Sequence, residues 1–130
     1  MQFEHPSLLI TDDDRDFRET LQGVFEPRGF RTLLAADGEE ALEIVRSESI
    51  HVVLLDMHMP RLTGLETIRR VKTFRSPLPC ILISAAMDEG LTDEAIEADA
   101  FSVLHKPISF AEITDVVSHA MRLTYDWPAA

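Results

Sequence analysis

Cysteine is almost absent from this chain. Cys80 is the only one in 130 residues, so no internal disulfide can form, and a reducing compartment suits the sequence. Basic residues are also scarce, 12 against 23 acidic, for a formal net charge of −11. A domain that grips nucleic acid needs a basic face to meet the phosphates, so direct nucleic-acid binding is not expected. No apolar run approaches the roughly 20 residues that span a bilayer. The start, Met1 to Pro6, lacks the basic opening and apolar core of a signal peptide. The expectation is a cytoplasmic domain without membrane contact. The five histidines, His5, His51, His58, His105 and His119, show no zinc-site spacing. No internal repeat or low-complexity segment breaks the chain. It is expected to form one domain over 1–130, with 122–130 a tail or the start of a linker.

What the sequence does have is alternation. Short apolar runs of strand length are separated by stretches of helical period, which points to βα units and a parallel sheet. The strands are expected at Leu8–Ile10, Phe30–Ala35, Val52–Leu55, Cys80–Ile83 and Phe101–Leu104. The second carries Arg31 and Thr32 and reads as an edge. The third has no polar alternation, so both its faces should be covered. Between them, Phe17, Leu21, Val24 and Phe25 share a helical face that ends at Pro27 and Gly29. Asp37 with Glu40, Thr63 with Glu66, and Ser109 with Glu112 read as capping boxes. Ala41, Leu42 and Val45 face inward from the second helix, Ile68 and Val71 from the third. A small acidic helix spans roughly Leu91 to Ala98. Ile113, Val116, Val117, Ala120 and Met121 face inward from the last. Cys80 lies in an apolar run and reads as buried.

The polar residues fall at the carboxyl ends of the strands. Asp12 and Asp13 follow the first, Asp56 the third, Ser84 the fourth and Lys106 the fifth. In open parallel sheets, ligands bind beyond those ends, at the point where strand order reverses. With strand order 2-1-3-4-5 the first and third strands are neighbours, and Asp12, Asp13 and Asp56 converge. At about 4 Å and an effective dielectric near 20, each like-charged pair costs roughly 4 kcal/mol. A divalent cation with oxygen ligands offsets that, and Mg²⁺ (or Mn²⁺) suits one or two carboxylates plus water and phosphate. Lys106 adds positive charge from the other side. Such a site suits phosphoryl transfer, which needs mainly positioning and charge stabilisation. Asp14 fits a helix cap equally well.

These residues together resemble the receiver domains of two-component response regulators. Leu9-Ile10-Thr11-Asp12-Asp13-Asp14 is similar to the family's first-strand acidic pair. Asp56-Met57-His58-Met59-Pro60, with Gly64 beyond, resembles its phosphoacceptor strand and loop. Ile83-Ser84-Ala85 resembles its hydroxyl position, and Leu104-His105-Lys106-Pro107 its lysine–proline pair. The match runs from about Ser7 to Met121. It implies a flavodoxin-like (CheY-like) doubly wound sheet of five parallel strands, order 2-1-3-4-5, with five helices, from a largely bacterial signalling family. By the resemblance Asp56 accepts a phosphoryl group. Asp13, Asp56 and the backbone carbonyl of His58 ligate the metal, and Asp12 holds it through water. Lys106 pairs with the phosphoryl oxygens, and Ser84 swings toward them. The domain is a signalling phosphoacceptor rather than an enzyme, with at most self-catalysed transfer and autodephosphorylation. Its donor is a sensor histidine kinase or a histidine phosphotransfer protein. Its output, a domain or a separate protein, is read through the fourth helix, fifth strand and fifth helix, a surface that also serves homodimers. The Lys106–Pro107 peptide is expected to be cis.

The chain departs from the family where an aromatic usually stands three residues before the lysine. Here it is Val103, with Phe101 nearby, so the expected switch is weaker than in aromatic-bearing relatives. Asp99-Ala100 replaces the usual Gly-Ala, and His58 and Ala86 occupy positions that tune phosphate lifetime. Three other readings compete with that of a phosphoacceptor receiver. A degenerate receiver would bind partners without phosphorylation; the intact acidic trio and Lys106 oppose it. A phosphohydrolase of the haloacid-dehalogenase type wants an Asp two residues after the nucleophile, where this chain has His58. A nucleotide- or flavin-binding domain wants a Gly- or Ser/Thr-rich loop after the first strand, where this chain has three aspartates.

Overall fold

The computed structural model describes residues 5–85 and 89–128. The elements are β1 (Ser7–Thr11), α1 (Arg15–Phe25), a 3₁₀ turn (Glu26–Arg28), β2 (Arg31–Ala35), α2 (Gly38–Ser47), β3 (Val52–Asp56), α3 (Gly64–Phe74), β4 (Cys80–Ser84), α4 (Glu89–Glu97), β5 (Ser102–His105) and α5 (Phe110–Tyr125). All strand pairs are parallel, in the order β2-β1-β3-β4-β5. The expected doubly wound sheet is therefore present, with β2 at one edge.

Side-chain alternation divides the core in two. Leu9, Val53, Leu55, Cys80 and Leu82 face α2, α3 and α4. Leu8, Ile10, Val52, Leu54, Ile81 and Ile83 face α1 and α5. Every residue of β1, β3 and β4 is buried, as strands covered on both faces require. Burial of their apolar side chains stabilises the fold by roughly 25 cal/mol per Å² of apolar surface.

The helix ends follow local chemistry. Asp14 caps α1, accepting from the backbone N–H groups of Asp16 and Phe17. Gly29 stops the following turn at φ 95°, a conformation open to glycine without steric cost. Thr63 and Ser109 head complete capping boxes with Glu66 and Glu112. Asp37 caps α2, but Glu40 returns its bond to Ala36 N–H, one residue earlier than expected.

Element boundaries differ from the apolar pattern: β1 gains Ser7 and Thr11, β2 starts at Arg31 rather than Phe30, β3 gains Asp56 and β4 gains Ser84. β5 starts at Ser102 and runs through His105, because pairing outlasts hydrophobicity: Lys106 N–H donates to the Ser84 carbonyl at 2.8 Å. α4 starts at Glu89, ahead of its first apolar residue, Leu91. α5 continues past Met121 to Tyr125, and the Trp127 ring then packs on Phe30, with ring centroids 5.3 Å apart. No helix among the described residues is long and apolar enough to cross a membrane.

Candidate functional site

The carboxyl ends of β1, β3, β4 and β5 form one cleft. β1 delivers Asp12, only 2% exposed, and the chain leaves it through exposed Asp13. β3 delivers Asp56, 4% exposed. Carboxylate oxygens of Asp12, Asp13 and Asp56 all lie within 4.8 Å of one another. Among the described residues this is the one cluster of three or more acidic, histidine or cysteine side chains close enough to hold a metal ion. Lys106 extends from the end of β5, its side chain 38% exposed, and its Nζ lies 3.4 Å from Asp56 Oδ1. Ser84 ends β4 with no exposed surface. The Lys106–Pro107 peptide is cis, as expected.

Burial and mutual repulsion set the electrostatics. Burial pushes the Asp12 carboxyl up to about 6; the Asp14 backbone N–H opposes this, and the nearby Asp56 charge reinforces it. Burial also raises Asp56, against the pull of the Lys106 ammonium and a backbone hydrogen bond from His58. Asp14 N–H donates to Asp12 Oδ1 at 2.8 Å, whereas the buried Asp12 Oδ2 has no partner among the described residues. A divalent cation with its bound water would meet both conditions, supplying the missing partner and offsetting the repulsion.

Several contributors carry no motif of their own. The Phe17 ring lies 5.4 Å from Lys106 Nζ, so the ammonium is held over an aromatic face. Arg18 Nη1 donates to the Asp12 carbonyl at 2.7 Å. Asp12, Asp14, Phe17, Lys106, Pro107 and Ile108 line a cavity of about 250 Å³ beside the acids. Gly64 packs so closely on Asp56 that a Cβ there would strike the Asp56 carbonyl and Leu82. Gly38 leaves similar room for Leu62 and Thr67. Arg61, at φ 69°, reaches across to Asp37 with its guanidinium 2.7 Å from Oδ2, which ties the loop after Asp56 to the start of α2. Helical position alone could have drawn attention to Phe17, on the inward face of α1 with Leu21 and Phe25. The Arg61–Asp37 contact spans 24 residues and leaves no local trace.

Of the remaining expected residues, Asp14 and His58 reach the acids only through backbone N–H groups, on Asp12 and Asp56. His58 is exposed. Asp14 is occupied as the α1 cap. Val103 is partly buried against the core under α3 and α4, while Phe101 faces the opposite core and meets the His119 ring at 5.7 Å. Ala86 lies outside the described residues.

Comparison with known proteins agrees with this arrangement. The family model for the response regulator receiver domain matches residues 8–118. Sporulation initiation phosphotransferase F of Bacillus subtilis is 34% identical over 116 residues, which cover 89% of this chain and 94% of that protein. The response regulator MprA of Mycolicibacterium vanbaalenii is 33% identical, and the transcriptional regulatory protein ZraR of Klebsiella oxytoca 32%. The matches cover 90% and 95% of this chain, but only 51% of MprA and 28% of ZraR. Among solved structures, the receiver domain of Francisella response regulator 1452 superposes with a TM-score of 0.83 at 28% identity, over 92% of this chain and 99% of that one. The Thermotoga maritima response regulator TrrA, solved in complex with Mg²⁺ and BeF, gives 0.80 at 27% identity, over 88% and 98%. With sequence, strand order and acidic cleft in agreement, the chain belongs to the response regulator receiver domains of two-component signalling.

Proposed function

We propose that this receiver takes a phosphoryl group on Asp56 and relays it as a change of surface. One observation carries the reading: three carboxylates converge within 4.8 Å, and Lys106 stands 3.4 Å from the one that ends β3. The Asp56 carboxylate attacks phosphorus in a phosphohistidine of a sensor kinase or phosphotransfer protein. The new O–P bond replaces the N–P bond, and the departing imidazole takes a proton from solvent. Lys106 stabilises charge on the transferring oxygens. Ser84 donates its hydroxyl proton to a phosphoryl oxygen.

Asp13 and Asp56, with the carbonyl of His58, would hold Mg²⁺ (or Mn²⁺), and Asp12 would hold it through water. The unpartnered Asp12 Oδ2 and the packed like charges fit that cation. Bound there, it would neutralise charge on the phosphoryl group. Asp56→Asn keeps the shape and removes the nucleophile.

Receiver domains are signalling proteins, and this one acts as a single cytoplasmic unit whose output is read from α4, β5 and α5, as a monomer or as a homodimer through that face. Val103 makes the switch weaker than one built on an aromatic ring. Incubation with a small acyl-phosphate donor and Mg²⁺, followed by intact-protein mass spectrometry, tests the acceptor. Wild type should gain one phosphoryl group, and Asp56→Asn none. An equal gain in Asp56→Asn overturns the assignment of Asp56, and an equal gain under excess chelator overturns the metal's role.

A further inference from the structure

We propose that His105 is a positioning residue for Ser84: in the phosphorylated state its Nδ1–H donates to Ser84 Oγ, whose own proton goes to the phosphoryl oxygen. The inference rests on the reading of Asp56 as phosphoacceptor.

Register, packing and hydrogen bonding lead to it. In the β4–β5 register Ser84 stands directly opposite His105. Leu82 and Val103, two residues earlier on each strand, both pack into the core under α3 and α4. Strand alternation therefore puts the Ser84 and His105 side chains on that same face. Neighbouring strands lie about 4.7–4.9 Å apart, so a change of rotamer is enough to bring the two groups together. The His105 Nδ1 is buried without a hydrogen-bond partner among the described residues. A buried ring nitrogen in that state calls for an explanation, and a partner made in another state of the protein is one.

His105 also touches the cleft through the backbone. Its successor, Lys106, approaches Asp56 with its ammonium and donates its N–H to the Ser84 carbonyl at 2.8 Å. Any pull on Ser84 or Lys106 is therefore felt at His105, from across the sheet and from along the strand. A chain from Nδ1–H to the Ser84 hydroxyl to the phosphoryl oxygen has each donor polarised by the next acceptor. It would hold Ser84 in its phosphate-facing position and fix the imidazole in the Nδ1–H tautomer. Val103, next on the same face, offers no polar group for that task.

The test is ¹⁵N NMR of the imidazole and the backbone amides, with and without Mg²⁺ and beryllofluoride as the phosphoryl mimic. On addition of the mimic, His105 Nδ1 should take the signature of a protonated, hydrogen-bonded ring nitrogen. Asparagine can place an amide N–H where Nδ1 stands, so His105→Asn should keep the amide shifts that the mimic induces over residues 91–98. His105→Leu should lose those shifts while keeping the ones around Asp56. An unchanged Nδ1 signal while the Asp56 region responds overturns the inference, as does wild-type behaviour over 91–98 in His105→Leu. If wild type shows no response around Asp56 at all, the phosphoacceptor reading is overturned instead.

Discussion

At the amino ends of the strands, polar groups are matched to neighbours. The Tyr125 hydroxyl donates to the His51 carbonyl at 2.7 Å, and Ser7 N–H donates to His51 Nδ1 at 2.9 Å. The His51 and Tyr125 rings meet edge to face, and Phe25, Phe30 and Trp127 form a second edge-to-face cluster. At the carboxyl ends the pattern reverses. The buried side-chain atoms that lack a partner among the described residues are Thr11 Oγ1, Asp12 Oδ2 and His105 Nδ1, all at the ends of β1 or β5. Each such atom costs about 1–3 kcal/mol. One end of the sheet contributes stability, and the other holds groups that a cation or a phosphoryl group would satisfy. Substitutions at the two ends should therefore separate stability from chemistry.

The largest effect is expected at the amino end. Phe25 is wholly buried, and Phe25→Ala should cost about 3–5 kcal/mol in denaturant unfolding. The fraction that remains folded should still be phosphorylated at the wild-type rate, because Phe25 lies at the far end of α1 from Asp14 and the cleft. A rate that falls as steeply as stability would remove the division between the two ends.

Asp12→Asn should act with the opposite sign. The folded state holds the Asp12 proton up to about pH 6, against about 3.8 ordinarily. Folding therefore carries no penalty from this group below about pH 4. The penalty grows as pH rises from about 4 to 6 and is complete above that, at most about 3 kcal/mol. At pH 7 without metal, Asp12→Asn should melt higher than wild type and lose that part of the pH dependence. His51 runs the other way. Burial and the Arg75 charge lower its pKa, so the folded state resists the proton that unfolded His51 accepts, and stability is lost as pH falls below about 6.5. Matched melting curves of wild type, Asp12→Asn and His51→Asn between pH 4 and 7 would measure the two slopes separately. Slopes of the same sign would contradict the comparison.

Gly64→Ala tests the back wall of the cleft. Its Cβ would meet the Asp56 carbonyl and Leu82. Overpacking of this kind should cost about 1–3 kcal/mol and, on the proposed function, slow acyl-phosphate labelling as well, since the displaced backbone carries Asp56. Tyr125→Phe should be the mildest change. It removes one hydrogen bond, worth about 1 kcal/mol, and should leave labelling untouched.

Much of this was legible in the sequence because it is written locally. The acidic pair, Asp56, Ser84 and Lys106 each follow an apolar run, so finding the strands located the cleft residues. The caps at Thr63 and Ser109 are four-residue patterns. The rest depends on contacts between distant segments. Arg61 reaches Asp37, Gly38 makes room for Thr67, and Trp127 covers Phe30, and none of these shifts local periodicity. His105 was hidden for a related reason. As one polar residue beyond Leu104 it looked like the end of the strand, whereas its register opposite Ser84 gives it its place.

The carboxyl end of the sheet holds like charges that a divalent cation would relieve. Thermal melting at pH 7 against rising Mg²⁺ measures this most directly, in wild type and in the double variant Asp12→Asn with Asp56→Asn. The melting temperature of wild type should climb with Mg²⁺, by mass action on the folded state, while the double variant should start higher and stay flat. Equal climbs in the two proteins, or a flat response in wild type, would contradict the account.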